Sequence, residues 1–215
     1  MNEILFFIQI FIILGFSLAA LKMGKEALMG WVAIQAITAN LFVLKQITLF
    51  GFTVTASDSY IIGSLLGLNF LQEYHGKKEA QKATWICFLF MLFFAVVSQL
   101  HLHYIPSPFD TAHASFETIL SPSMRLLVAS LSVFFIVQQF DIRFFAFIKT
   151  AFPTWNFTVR TLIALVCSQF LDTVLFSFAG LYGIVASIFD VIFLSFIVKL
   201  IAIFSCSTLL KWAKP

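Results

Sequence analysis

Residues 161–180 read TLIALVCSQFLDTVLFSFAG, and residues 181–210 continue as LYGIVASIFDVIFLSFIVKLIAIFSCSTLL. Each run is long enough to cross a hydrocarbon core about 30 Å thick, because a helix rises about 1.5 Å per residue. Asp172 lies in the first run and Lys199 in the second. Counted from the flanking basic residues, each of these charges lies about 18 Å along its helix. The two runs therefore predict membrane-spanning helices with opposite charges near the bilayer midplane.

A charge at the midplane is costly, so it usually faces the protein interior and a partner, and often a substrate. Two interpretations follow for Asp172 and Lys199. They could form a buried ion pair that only locks two helices together, or they could belong to a ligand site. We favour the ligand site.

The composition excludes most soluble classes. Hydrophobic residues make up 61% of the 215 residues and charged residues only 11%, against about 25% in soluble domains. This predicts an all-α, polytopic membrane helix bundle in which residues 1–215 form a single transmembrane domain. The chain has no HExxH, GxSxG, Walker A or GxGxxG motif, so we expect no enzyme activity and no cofactor.

We predict about seven transmembrane helices with a six-helix core. The first follows Met1-Asn2-Glu3 directly and has its lysines after the apolar run, so we expect it to be retained rather than cleaved. The last is longer than a bilayer needs and should tilt or extend beyond it. The predicted spans are residues 4–21, 27–44, 52–71, 84–100, 124–140, 161–180 and 181–210.

The Lys and Arg residues predict an orientation with the N-terminus outside and the C-terminus inside. Of thirteen, Lys199 is intramembrane, and Lys45 and Arg125 fall on the predicted outer side. The other ten fall on the predicted cytoplasmic side, which is the side where such residues are enriched. These ten are Lys22, Lys25, Lys77, Lys78, Lys82, Arg143, Lys149, Arg160, Lys211 and Lys214.

Further polar residues lie at a similar depth inside the predicted spans. Gln169 precedes Asp172 by three residues, so the two share a helix face. Asn40 lies about 20 Å from the inner end of the second span. We expect Asn40, Gln169, Asp172 and Lys199 to line one substrate-binding cavity. For Asn40 and Gln169 the alternative is helix-to-helix hydrogen bonding. Asp58 is expected nearer the outer water, so it ranks lower.

Metal and nucleic-acid binding are not expected. His101, His103 and His113 fall in one outer loop, but their spacing is a poor zinc signature. The three cysteines fall within predicted spans and are expected to be reduced packing residues. Glu73 stands beside His75-Gly76-Lys77-Lys78, which could be no more than a solvated turn. The basic residues do not form the concentrated face that nucleic-acid binding requires.

Several stretches resemble the queuosine precursor transporter family, also called the vitamin uptake transporter family. The resemblance covers about residues 30–210. It is carried by residues 40–45 (NLFVLK), 49–53 (LFGFT), 73–80 (EYHGKKEA), 82–85 (KATW), 125–131 (RLLVASL) and 168–173 (SQFLDT), with Gln138 and Asp141.

The resemblance implies import of deazaguanine bases that feed queuosine in transfer RNA, with queuine or an earlier precursor as cargo. It also implies a six-helix core similar to the substrate-binding subunits of energy-coupling-factor transporters. We expect gating or coupling roles at Glu73, Arg125 and Asn69. The chain departs from the family at Asn69, where the family usually has an Asp, and near Thr161 and Cys206.

The chemistry of such a cargo suits the buried polar residues. A deazaguanine presents adjacent N–H and NH₂ donors, which the Asp172 carboxylate can accept together. Gln169, Asn40 or Lys199 could then donate to the base carbonyl, and the Phe-rich bundle offers stacking surfaces.

We expect a small heterocyclic base and the bilayer of the bacterial inner membrane as partners, and a homo-oligomer is compatible with the sequence. The alternatives are a carrier for another vitamin-like heterocycle and a non-transporting membrane scaffold.

Overall fold

The computed structural model describes residues 1–55, 57–121, 124–183 and 188–210, except the side chains of residues 124 and 206–210. Its long helices follow the apolar runs of the sequence. The elements in chain order are α1 Asn2–Met23, α2 Lys25–Phe42, β1 Gln46–Leu49, β2 Phe52–Thr55, α3 Asp58–Tyr74, α4 Lys77–Leu102, α5 His113–Leu120, α6 Met124–Ala151, α7 Phe157–Phe176, a π-helical turn Ser177–Leu181 and α8 Ile188–Leu210.

The protein is an all-α membrane bundle with one small β-hairpin. Across the described ranges, five helices are long and apolar enough to cross a bilayer, namely α1, α4, α6, α7 with its π-helical turn, and α8. The shorter α2 and α3 are not in that set. The predicted count of seven spans and the predicted orientation are therefore not confirmed.

Helix α3 lies at the centre of the bundle. Thirteen of its seventeen residues are buried, and they include Ser, Gly, Asn and Gln side chains. A Cβ at Gly63 would lie 2.6 Å from Ile13 Cγ2 of α1, and one at Gly67 would lie 2.8 Å from Val32 Cγ2 of α2. Small residues let helices approach this closely in a membrane bundle. The polar composition of α3 is tolerated because the helix is surrounded by protein.

The third predicted span begins in the wrong place. Residues 52–55 do not start a helix but form β2, which pairs with β1 in an antiparallel hairpin. Phe50 and Gly51 connect the strands and both have positive φ, 52° and 84°, as a type I′ turn requires. Helix α3 therefore begins only at Asp58. Polar and apolar residues alternate on both sides of a two-residue turn, and most are β-branched, which favours strands over a helix here.

Other boundaries also shift. Helix α4 begins at Lys77, well before the predicted residue 84, because Gly76 at φ 92° separates it from α3. The predicted loop at residues 101–122 contains α5. The predicted break at residue 180 falls inside the π-helical turn that extends α7 to Leu181. Lys211 and Lys214, which support the predicted orientation, lie outside the described residues.

The hairpin marks one end of the bundle, which we call the hairpin end. Asn2 Nδ2 donates to Thr48 O at 3.0 Å, and Phe50 N donates to Glu3 Oε1 at 3.2 Å, so the hairpin packs on the start of α1. The end that carries the turn between α3 and α4 is the opposite end. Gln9 of α1 donates to Ser59 Oγ at 2.6 Å, so α3 begins about 10 Å below the start of α1.

Candidate functional site

Two charged side chains from the last two long helices form an ion pair. Lys199 of α8 donates from Nζ to Asp172 Oδ2 of α7 at 2.7 Å. It also donates to Thr173 Oγ1 at 3.0 Å. Asp172 is 7% exposed and Lys199 is 3% exposed. The structure thus brings together the two charges that the sequence places near the midplane.

Asp58 lies beside this pair, whereas from the sequence it is expected nearer the outer water. Its Oδ1 lies 3.8 Å from Lys199 Nζ, and the residue is 7% exposed. That expectation assumed a helix from residue 52, whereas α3 begins at Asp58, below the end of the bundle. The N-terminal dipole of α3 favours a negative charge at this position. We call Asp58, Asp172 and Lys199 the charged cluster; with both carboxylates ionised it carries one net negative charge.

The charged cluster lines a cavity at the hairpin end that has two adjoining chambers. The deep chamber has a volume of about 120 Å³ and is lined by the charged cluster together with Phe134 and Phe176. The wide chamber has a volume of about 290 Å³. It extends from the deep chamber to the hairpin and to α5. Both chambers share lining residues, which are Asn40, Val43, Thr55, Ser130, Phe176, Leu181, Val191 and Ser195.

Asn40 stands where the two chambers meet. Its Oδ1 accepts a hydrogen bond from Ser130 Oγ of α6 at 2.7 Å, and its Nδ2 donates to Ala36 O at 3.1 Å. Asn40 therefore combines a helix-to-helix hydrogen bond with a position on the cavity wall. The two interpretations made from sequence are compatible at this residue.

Gln169 and Asn69 are buried but do not line either chamber. Gln169 lies about one turn from Asp172 along α7, on the side away from the hairpin. None of the four side-chain amide atoms of these two residues has a hydrogen-bond partner within the part of the chain that the structure describes. The structure therefore separates Gln169 from Asp172, Lys199 and Asn40, with which it was grouped.

Glu73 belongs to an ion-pair network at the opposite end. Its Oε1 accepts from Arg160 Nη2 at 2.7 Å, and its Oε2 lies 2.9 Å from Lys149 Nζ. The network ties α3 to α6 and α7. Glu73 is thus more than part of a solvated turn, since Arg160 is only 8% exposed. Arg125 lies far from it, at the start of α6, and donates from Nε to Ala179 O at 3.0 Å.

His101 and His103, from the predicted outer loop, make local contacts. His103 Nδ1 lies 2.8 Å from Gln99 O, and the His101 ring packs edge-on against Phe116 of α5. Within the described ranges, no group of three His, Cys, Asp or Glu side chains has a geometry that could hold a metal ion. Cys87 and Cys167 are free thiols there. Cys206 is among the residues whose side chains are not described.

From the sequence, Asp58 ranks low and the polar residues around it are not singled out, although a signal is present. Ser57-Asp58 precedes an apolar run, and Ser and Asp are typical of a helix N-terminus. Thr55 Oγ1 contacts both Ser57 Oγ at 3.0 Å and Asp58 Oδ1 at 3.5 Å. The hairpin end thereby supplies hydroxyl groups to the same cavity. Chemically, the cavity offers two carboxylates, an ammonium, hydroxyls and aromatic walls, a set suited to a flat polar ring.

Comparisons with known proteins agree with these features. Residues 55–213 match the family model described as "Putative vitamin uptake transporter". The chain is 30% identical over 162 residues to the "Probable queuosine precursor transporter" of Bacillus subtilis (strain 168), covering 75% of this chain and 71% of that protein. No solved structure matches the chain significantly. Family members are transporters and not enzymes, and this chain, a multi-pass membrane protein, belongs to the vitamin uptake transporter family.

Proposed function

We propose that the protein imports queuosine precursors, queuine or a related deazaguanine base, across the bacterial inner membrane. The observation that carries the proposal is the charged cluster of Asp58, Asp172 and Lys199 on the wall of a partly aromatic cavity. A structural ion pair alone needs no cavity beside it. The name of the Bacillus subtilis relative supports this substrate class.

The base is proposed to lie in the deep chamber. Its adjacent N–H and NH₂ donors face Asp172, whose Oδ2 is held by Lys199. Asn40 or Lys199 donates to the base carbonyl, and Phe134 and Phe176 pack on its faces. Gln169 lies outside the chamber, so contact between it and a base would require a rearrangement during transport.

The distribution of basic residues and the closed end of the bundle support inward transport. Lysines and arginines gather at the opposite end, where Arg160 and Lys149 hold Glu73, and such residues are enriched on the cytoplasmic side. The hairpin end would then face outwards, with the cavity near it and the Glu73 network closing the inner end. Release of the base inwards would require that network to open, which gives Glu73 a gating role.

Uptake measurements in cells that cannot make queuosine precursors test the proposal. Cells that express the protein should accumulate labelled queuine or its deazaguanine precursors, and cells with the empty vector should not. A carrier for another vitamin-like heterocycle would instead take up a different labelled compound, as the family description allows. A non-transporting scaffold would take up none, and the proposal would fail.

A further inference from the structure

A third buried carboxylate lies below the charged cluster. Asp141 of α6 is fully buried, and its Oδ1 accepts a hydrogen bond from Ser168 Oγ of α7 at 2.7 Å. Its Oδ2 has no hydrogen-bond partner among the residues that the structure describes. Ser168 precedes Asp172 by four residues, which places Asp141 about one turn from the charged cluster.

The buried charges do not balance. Glu73 has Arg160 and Lys149, but the interior of the described bundle has three carboxylates, Asp58, Asp141 and Asp172, and one ammonium, Lys199. Among the described residues no Lys, Arg or His forms a salt bridge with Asp141. A carboxylate inside a bilayer without a cation is costly, and such residues mark ion or proton pathways.

The described groups around Asp141 are neutral or negative except Lys199 of α8, which is already paired with Asp172 at 2.7 Å. Helix α7 presents Ser168, which donates to Asp141, with Cys167 beside it in the sequence and Asp172 one turn away. Helix α4 presents Cys87, which contacts Gln138 of α6 at 3.9 Å. The nearest charged residues of α3 lie at its two ends, and the π-helical turn has no titratable side chain. Among the described residues, Lys199 forms its salt bridges with Asp172 and Asp58, and Asp141 has no cation of its own.

We propose that Asp141 is a binding site for a single positive charge, a proton or a sodium ion, whose loading and release are coupled to movement of the cargo. This rests on the proposed transport function. The cation enters from the outer side and neutralises the carboxylate, and it leaves inwards when the base leaves. Because Asp141 and Asp172 are about one turn apart, neutralising one changes the field at the other, which links the cation to the charged cluster.

Transport by purified protein in lipid vesicles tests the coupling. Wild-type protein should accumulate labelled queuine above equilibrium under an inward proton gradient or an inward sodium gradient, and the effective gradient identifies the cation. Asp141→Asn, which is permanently neutral, should lose this accumulation at least about tenfold while exchanging labelled for unlabelled queuine at nearly the wild-type rate. Asp141→Glu keeps a titratable carboxyl and should recover part of the accumulation. The exposed Asp110→Asn is the control and should behave as wild type.

The result that overturns the proposal is a wild type that exchanges queuine but accumulates it under neither gradient, or an Asp141→Asn variant that still accumulates it. If wild-type protein does not transport queuine at all, the proposed function fails. Infrared difference spectra recorded without cargo then test the cation site independently. A carboxyl band that responds to pH or sodium should be present in wild type and absent in Asp141→Asn. Identical spectra from the two folded proteins would refute the site.

Discussion

At the scale of single residues, the charged cluster has two acids and one base. Lys199 contacts Asp172 at 2.7 Å and Asp58 at 3.8 Å, so each acid depends on the same ammonium. Removing the ammonium leaves two buried carboxylates without a cation. Removing Asp172 alone still leaves Lys199 with Asp58. The three positions should therefore respond unequally to substitution.

Lys199→Met should lose more thermal stability than Asp172→Asn. Breaking a buried pair by removing one partner costs about 3–5 kcal/mol, because a charge is left uncompensated. The triple variant Asp58→Asn/Asp172→Asn/Lys199→Met has no charge at the cluster and should regain stability relative to Lys199→Met. Thermal unfolding in detergent measures this, with the exposed Lys45→Met as control. A triple variant less stable than every single variant would show that the residues are not coupled.

Asp58 should set the charge preference of the cargo. With both acids ionised the charged cluster is one charge negative, which favours a base that carries a protonated amine over a neutral one. Asp58→Asn should lower the ratio of amine-bearing to neutral deazaguanine uptake by about three- to tenfold, or about 0.7–1.4 kcal/mol. Competition between two labelled bases in cells measures the ratio. An unchanged ratio in a well-expressed variant would contradict the assignment.

The sequence predicts where a residue lies when the position of that residue along a clear membrane span fixes its depth. Asp172 and Lys199 could be paired because each lies deep in a clear apolar run. Asp58 could not be placed in the same way, because its depth depends on a hairpin that interrupts the predicted span. Gln169 shows the remaining difficulty. A shared helix face with Asp172 does not establish that a side chain reaches the cavity.

At the scale of elements, the hairpin of β1 and β2 is the feature that the hydropathy pattern hides. Its side chains are apolar enough to be read as the start of a span, although their alternation and the Phe50-Gly51 turn favour strands. Non-helical backbone is tolerated at membrane depth where it is covered by protein or lines a cavity. Gln46, Thr53 and Thr55 of this hairpin line the cavity, so the exception to the helical pattern lies at the candidate site.

Gly51→Ala should destabilise the protein by about 1–2 kcal/mol, because φ is 84° and a left-handed conformation is costly for a residue with a Cβ. The matched control is Gly30→Ala in α2, where an added Cβ meets nothing within 4 Å. This change should be neutral or stabilising, since Ala favours a helix more than Gly does. Thermal unfolding of both variants gives the comparison. Equal destabilisation would mean that the turn conformation is not the cause.

At the scale of the whole molecule, composition alone predicts a helical membrane bundle, and the structure agrees. The number of spans is harder to predict because α2 and α3 are shorter and more polar than the helices that surround them. A helix enclosed by others does not need a lipid-like surface. Hydropathy therefore reports which helices face lipid more reliably than it reports how many helices the bundle contains.

The orientation remains a prediction that thiol labelling can test. His113→Cys at the start of α5 should react with a membrane-impermeant thiol reagent in intact cells, and Lys78→Cys near the start of α4 should not. Both positions are at or near helix starts outside the bundle core, so substitution should not disturb packing. Both cysteines are introduced into a variant whose three native cysteines have been replaced. If only Lys78→Cys were labelled, the orientation would be the opposite of the predicted one.

Equilibrium binding of labelled queuine to purified protein shows whether a deazaguanine base binds at the charged cluster. Wild type should bind saturably. Asp172→Asn should reach the membrane but bind about five- to 150-fold more weakly and lose uptake, because an amide presents a donor to the donors of the base, at about 1–3 kcal/mol. Equal binding by wild type and a folded Asp172→Asn variant would contradict binding at the charged cluster.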